Sequence, residues 1–337
     1  MIPTGGSSGK IRFVTHDWQT LSASVEGFCQ YFQLSKVNSF CVLPLFHVSG
    51  LMQFMRSFVS GGKLSIASFA EVKAGNWLDF DPSEFFISLV PTQLQFLLDN
   101  YALKNWLSGF KTVLLGGAPS WDDLLNKARE TKIPIAPCYG MTETASQIAT
   151  LKPEMFLTGD RSSGQILPHA KVRILDPQGQ QLQANQIGRI AIEAKSLALG
   201  YYPEYFTDRE IFYTDDAGFF DAKGNLNLVG RLSDKIITGG ENVFPNEVES
   251  VIRSTNLVVD VCVIGSIDRY WGQIITAVYV PQNSSISSQD IQKAIEGKIA
   301  KFKHPKLWIS VEVIPRNDRG KIDRSAIDQI AKDKNNS

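Results

Sequence analysis

The strongest constraint on what this chain folds into is the alternation of short apolar runs with amphipathic stretches over residues 18–137. Apolar residues at near-helical spacing (Leu21, Val25, Phe28, Phe32) predict a helix over 18–32. Residues 39–45 are apolar and closed by Pro44 and a polar turn, which predicts a buried strand. The same reading gives a helix over 50–59 ended by Gly61-Gly62, a strand over 63–66, a strand over 86–90 and a helix over 92–100 capped by Thr92. A strand over 111–115 runs into Gly116-Gly117-Ala118-Pro119, and a helix over 121–130 and a strand over 133–137 follow. Short strands alternating with helices imply a parallel sheet with helices packed on it, hence an α/β fold.

The texture changes near Gly159. Residues 171–174 and 188–192 alternate apolar with polar between glycine turns, which predicts a small antiparallel barrel-like subdomain over about 160–230. Residues 230–240 read as a polar, glycine-rich joint. Beyond it come a helix (245–254), strands (257–264 and 274–280), a helix (287–300) and a strand (308–313), and residues 332–337 read as a frayed end. The expected organisation is a large domain over 1–232, a hinge, and a small α+β domain over 233–337, as a chain of 337 residues allows.

Lys+Arg and Asp+Glu both number 34, so no basic excess points to nucleic acid. Hydrophobic residues make up 43%, enough for a packed core. No apolar run has the length of a membrane-spanning helix, and no charged-then-apolar leader is read at the start. The cysteines, Cys29, Cys41, Cys138 and Cys262, lack the spacing of a zinc site or a disulfide framework. That fits a reducing, cytosol-like compartment.

The chain opens almost at once into Thr4-Gly5-Gly6-Ser7-Ser8-Gly9-Lys10, a loop rich in backbone freedom and hydroxyl donors. A Walker A loop fails, because Thr4 stands where its first Gly belongs and Ile11 where Ser or Thr is needed. Gly5 to Gly9 matches the G-x-S-x-G elbow of serine hydrolases, with Ser7 as nucleophile, but that motif needs a strand before it. By composition alone the segment is a solvated linker. The remaining reading is a phosphate loop of another type, and the abrupt opening gives the expectation of a chain starting in mid-domain.

The order of motifs separates these readings. The stretch Thr4 to Arg12, then Tyr139-Gly140-Met141-Thr142-Glu143-Thr144, Thr214-Asp215-Asp216-Ala217-Gly218, Gly230-Arg231-Leu232-Ser233-Asp234 with Gly239-Gly240-Glu241-Asn242, and Gly320-Lys321 resemble, in order, the signatures of the adenylate-forming superfamily. That superfamily holds acyl-CoA synthetases, luciferases and peptide-synthetase adenylation domains. Pro44 to Gly50 and Thr142 to Gln147 are most similar to its o-succinylbenzoate–CoA ligase branch, of menaquinone and phylloquinone synthesis.

The resemblance implies a carboxylate activated by ATP with Mg²⁺ and passed to coenzyme A. Both steps concentrate negative charge and call for N–H donors, cations and a metal. It implies that Thr4, Gly5, Gly6, Ser7, Ser8, Gly9, Lys10 and Arg12 hold the β- and γ-phosphates. Here Gly5 replaces the family's Ser, Ile11 its Pro and Arg12 its Lys. Glu143 is the implied Mg²⁺ ligand, and Thr142 contacts the α-phosphate. Gly117, Ala118, Pro119, Tyr139 and Gly140 line the adenine slot. Asp216 takes the ribose hydroxyls, with Asp215 as rival carboxylate, and Arg231 reaches the ribose or phosphate region. Unaided, Glu143 reads as a helix first-turn carboxylate and Arg231 as a partner of Asp234.

His47, Ser49 and Gln147 are implied at the acyl pocket, although a lone His after an apolar strand is ordinarily a hydrogen-bonded core residue. Arg56 lies in an otherwise apolar helix. It either snorkels to solvent or meets the second carboxylate of a dicarboxylic acid. Lys321 is the implied adenylation lysine, brought in by rotation about Ser233 and Asp234. Family members carry a large segment before the phosphate loop, which this sequence lacks. The alternatives are a truncated, non-catalytic nucleotide-binding remnant, a ligase for another aromatic or fatty acid, and a Ser7 hydrolase. The expected partners are small molecules, with no nucleic acid, and the expected place is the cytoplasm, or the plastid stroma in a photosynthetic eukaryote.

Overall fold

The computed structural model describes residues 1–5, 11–316 and 322–335. They form two compact units: Met1–Ser120, Leu124–Thr214 and Gly218–Leu228 in the first, and Trp121–Asp123, Asp215–Ala217 and Val229–Ser337 in the second.

The first unit is built on a seven-stranded sheet. Its spatial order is Leu64–Ile66, Asn38–Cys41, Phe85–Leu89, Thr112–Leu115, Ile135–Met141, Ser146–Thr150, Gln165–Ile166. The first five strands pair in parallel, and Phe85–Leu89 and Thr112–Leu115 are buried throughout, as strands covered on both faces must be. At Ile135–Met141 the pairing turns antiparallel, because the chain reverses at once through residues 142–145. The helix Trp18–Phe32 is capped by Asp17, whose carboxylate accepts from Thr20 N–H at 2.8 Å. Val48–Ser60 stops at Gly61, which adopts φ +70.

Two smaller sheets follow. Ile2–Gly5, Ile11–Thr15, Gly200–Tyr201 and Glu204–Tyr205 form one, antiparallel throughout. Ala170–Leu175, Gly188–Ala194, Phe212–Phe220 and Leu226–Arg231 form the other, in that order.

The second unit carries Glu241–Val243, Ile236–Thr238, Gly272–Pro281 and Val258–Asp268 in one sheet, with Leu307–Ser310 parallel to Gly272–Pro281. Side chains alternate across it. Val261, Val263, Ile275 and Ala277 pack with Val248, Ile252, Ile291 and Ile295 of the helices Pro245–Arg253 and Ser288–Ile295. Cys262, Ile264 and Val278 pack with Ile327 and Ala331 of the helix Arg324–Asn335.

Several expectations need correction. The strand expected to reach residue 45 ends at Cys41, because a turn forms where His47 N–H donates to the Pro44 carbonyl at 3.0 Å. Thr92 is not a cap. The helix begins at Pro91, and the Gln93 side chain takes the free Val90 N–H at 3.1 Å. Asn100 then caps a further helix, Tyr101–Ser108, beyond the expected one. The joint over 230–240 is not all loop, since Ile236–Thr238 pairs with Glu241–Val243 around Gly239 and Gly240, at φ +59 and +85. The helix expected to reach residue 300 ends at Ile295, near Gly297 at φ +74. The helix Arg324–Asn335 covers most of the end expected to fray.

Candidate active site

The reversal after Ile135–Met141 carries the densest set of expected residues. Gly140 lies opposite Gln147, and a Cβ on it would stand 1.9 Å from the Ser146 carbonyl, so only glycine fits. Thr142–Thr144 form one 3₁₀ turn, then Ala145 (φ 50) and Ser146 (φ 83) take the left-handed region that non-glycine residues avoid. The surroundings hold this backbone. The Thr144 hydroxyl donates to the Ser146 carbonyl at 2.7 Å, and the Ser24 hydroxyl to the Ala145 carbonyl at 2.7 Å. Conformations disfavoured locally and braced by tertiary contacts are characteristic of functional turns.

Glu143 is buried in this turn. Its Oε1 accepts from the Tyr201 hydroxyl at 2.6 Å, and its backbone carbonyl accepts from Ala198 N–H at 2.8 Å. Burial, reinforced by Glu143, pushes the Tyr201 phenol up, so it stays a donor. The Arg12 guanidinium lies 4.1 Å from the Tyr201 ring centroid. Across the small sheet Thr4 pairs with Arg12, and Gly5 with Ile11. The rest of the phosphate-loop reading, Gly6, Ser7, Ser8, Gly9 and Lys10, lies outside the described residues, as does Lys321.

Among the described residues no cluster of three His, Cys, Asp or Glu forms a metal cage. Mg²⁺ is ordinarily held by one or two carboxylates, with phosphate oxygens and water completing the shell. A single buried carboxylate with no salt-bridge partner among the described residues, as Glu143 is, fits that donor set.

His16 went unread. Its Nε2–H donates to the Thr142 carbonyl at 2.7 Å, and Nδ1 lies 3.1 Å from the Thr20 hydroxyl. Burial lowers its pKa.

Arg56 does not snorkel, for it is only 3% exposed. Its guanidinium lies over Phe28, 4.3 Å from the ring centroid, and donates to the Ser146 hydroxyl at 3.3 Å, while Nε has no partner. No carboxylate pairs with it among the described residues, and burial pulls its pKa to about 10. Gln147 is buried with Oε1 unpartnered, its amide donating to Thr150 at 3.1 Å. His169, also unread, has both ring nitrogens buried without a partner. Burial, with Arg56 adding, brings its pKa to about 4. A guanidinium without a counter-charge, beside an imidazole held neutral, is an environment complementary to an anion.

The other first-unit residues are placed more simply. His47 precedes the helix Val48–Ser60, half-buried against the ring of Phe46 at 4.5 Å. Ser49 is half-buried, its carbonyl accepting from Gln53 at 3.1 Å. Gly117, at φ +80, Ala118 and Pro119 form an exposed turn beyond Thr112–Leu115. Tyr139 is buried in a cluster with Ile148, Ile190 and Leu226.

In the second unit the two neighbouring carboxylates differ. Both oxygens of Asp215 are engaged by Ser233, through its N–H at 3.2 Å and its hydroxyl at 2.5 Å. Asp216 faces Arg231, with Nε at 3.7 Å. Asp234, the alternative partner of Arg231, takes Arg324 instead, at 2.8 Å.

Comparison with known proteins bears on this arrangement. The AMP-binding enzyme family model matches residues 1–202, and the model of the AMP-binding enzyme C-terminal domain matches residues 247–321. The 2-succinylbenzoate–CoA ligase of Enterococcus faecalis is 35% identical over 325 residues, covering 95% of this chain and 67% of that protein. That of a Geobacillus species is 33% identical, covering 97% and 68%. Among solved structures, o-succinylbenzoate coenzyme A synthetase from Bacillus subtilis with its acyl-adenylate intermediate superposes with a TM-score of 0.85 at 28% identity, covering 97% of this chain and 68% of that one. The same enzyme with ATP and magnesium ion gives 0.83, covering 96% and 68%. The chain spans about two thirds of the length of these relatives.

Proposed function

Because the chain belongs to the AMP-binding enzyme family, we propose that it is an AMP-forming acid–thiol ligase that joins o-succinylbenzoate to coenzyme A. In the first half-reaction a carboxylate oxygen attacks the α-phosphorus of ATP, and pyrophosphate leaves with the electron pair of the broken P–O bond. In the second the coenzyme A thiol, losing its proton, attacks the acyl carbon of the adenylate and AMP leaves. ATP, Mg²⁺ and coenzyme A are the cofactors and co-substrates, as the relatives' names and bound ligands support.

In this reading Thr4 and Arg12 approach the β- and γ-phosphates, Thr142 the α-phosphate, and Gly117, Ala118 and Pro119 the adenine. Glu143 would hold Mg²⁺, which neutralises phosphate charge when bound. Asp216 takes the ribose hydroxyls, supported by the engagement of Asp215 with Ser233. Ser233 and Asp234 form the pivot between half-reactions. We propose the cytoplasm as its place, or the plastid stroma in a photosynthetic eukaryote; no helix of the described residues is long and apolar enough to cross a membrane.

The observation that carries the choice of acid is the uncompensated Arg56. o-Succinylbenzoate has two carboxylates, and only one is activated. Arg56 takes the other, with Gln147 nearby and His47 and Ser49 toward the acyl chain. ATP–pyrophosphate exchange on the purified chain, over a panel of o-succinylbenzoate, benzoate, a cinnamate, a fatty acid and amino acids, tests this. Exchange is expected with o-succinylbenzoate. Arg56→Ala raises the KM for that acid about 10- to 100-fold, the worth of a charged hydrogen bond, and leaves the KM for ATP unchanged. Equal effects on both substrates would overturn the role of Arg56. No exchange with any acid would favour a non-catalytic nucleotide-binding remnant.

A further inference from the structure

Tyr201 belongs to no motif that the sequence displays, yet its segment holds Glu143 twice. Ala198 N–H fixes the Glu143 carbonyl, and the Tyr201 hydroxyl fixes Oε1 of its side chain. That hydroxyl is the one hydrogen-bond partner recorded for this carboxylate among the described residues.

The placement of Tyr201 is itself constrained. Leu199 N–H donates to Thr15 O and Tyr202 N–H to Phe13 O, each at 2.8 Å, so residues 199–202 are stitched to the strand Ile11–Thr15. Tyr201 pairs with Val14, and Arg12, two residues before Val14, projects from the same face. The ring therefore lies under the Arg12 guanidinium on one side, with Phe206 edge-on at 5.4 Å. A phenol held by cation, ring and backbone has little rotational freedom, and neither has the carboxylate oxygen it grips.

We propose that Tyr201 is the positioning residue of Glu143: its hydroxyl occupies Oε1 and orients Oε2 toward the Mg²⁺–nucleotide. The inference rests on the ligase reading above. Partners behind a metal-ligating carboxylate commonly set metal affinity by about 10- to 100-fold. Arg12 extends the same unit, coupling the strand after the phosphate loop to the carboxylate through the ring.

The test is equilibrium binding to the full chain. ATP affinity is measured against Mg²⁺ concentration for the wild type and Tyr201→Phe, with metal-free AMP as control ligand. Phe keeps the ring for Arg12 and Phe206 and removes only the hydroxyl. The half-saturating Mg²⁺ concentration for ATP binding is expected to rise about 10- to 100-fold, with AMP affinity unchanged. In a Glu143→Gln background the same substitution should change nothing further. Unchanged Mg²⁺ dependence, or equal loss of AMP and Mg²⁺–ATP, overturns the positioning role. A wild-type chain that binds neither nucleotide overturns the ligase reading and this inference with it. Should Tyr201→Phe fail to fold, fluorotyrosine placed at Tyr201 reports on the native fold. Its fluorine resonance is expected to move when Mg²⁺ joins bound ATP and to stay put when Mg²⁺ joins bound AMP. A resonance indifferent to both also overturns the proposal.

Discussion

At the residue scale, Arg56 and His169 place charge chemistry where an apolar core is expected. Burying a guanidinium away from water costs several kcal/mol unless something offsets it. Here the offset is partial: the Phe28 ring and one serine hydroxyl, while His169, by staying neutral, adds no like charge. That neutrality has a consequence for stability. In the unfolded chain His169 takes up a proton below its ordinary value of 6.5, while in the fold it resists protonation down to about 4. Between those values the unfolded state binds more protons, so the free energy of unfolding rises with pH. Stability is full above about pH 6.5 and falls as the pH drops toward about 4, by about 3 kcal/mol from this residue. His16, lowered by burial, acts with the same sign. Urea titrations across that window should show the falling midpoint, and His169→Gln should flatten it. A wild-type midpoint that is level from pH 6.5 to 4 would contradict the assignment.

At the element scale, the site hangs on how short elements begin and end. The turn over 142–146 is held in a disfavoured conformation by Ser24, from the helix Trp18–Phe32. That helix is fixed by a reciprocal cap, in which Asp17 accepts from Thr20 N–H and the Thr20 hydroxyl accepts from Asp17 N–H at 3.1 Å. Losing such a cap costs about 1 kcal/mol. Asp17→Ala should lower the urea midpoint accordingly and leave the unfolding slope unchanged; a change in slope instead would point to a broken two-state transition. Most elements were legible in the sequence, because apolar periodicity and glycine or proline ends act locally. The exceptions follow from what periodicity omits. The helix expected over 92–100 has Asn100 as its end, and the same Asn100 caps the next helix, Tyr101–Ser108, so a residue that reads as an end is also a start. The hairpin around Gly239 and Gly240 forms between segments of three residues each, too short for alternation to mark them as strands.

At the scale of the whole molecule, the division into units does not follow chain order strictly, since Trp121–Asp123 and Asp215–Ala217 group with the second unit. The proposed division of labour gives a matching asymmetry. Lys321→Ala should abolish acyl-adenylate formation and spare thiolysis of a supplied acyl-adenylate, both measurable on the same purified chain. Equal loss of both steps would refute it.

The sequence alone determined the α/β class, the order of the signature motifs and the candidate turn Tyr139–Thr144, because each depends on neighbours along the chain. It also marked Arg56, a cation in an apolar helix, while leaving open whether that cation reaches water. The tertiary structure decided that it does not, and that Asp215 is taken by Ser233 while Asp216 faces Arg231. It alone brought His16 to Thr142 across 126 positions and Tyr201 to Glu143 across 58. No local pattern encodes such contacts: a hydrogen bond depends on distance in space, and only the packing of elements remote in sequence sets that distance.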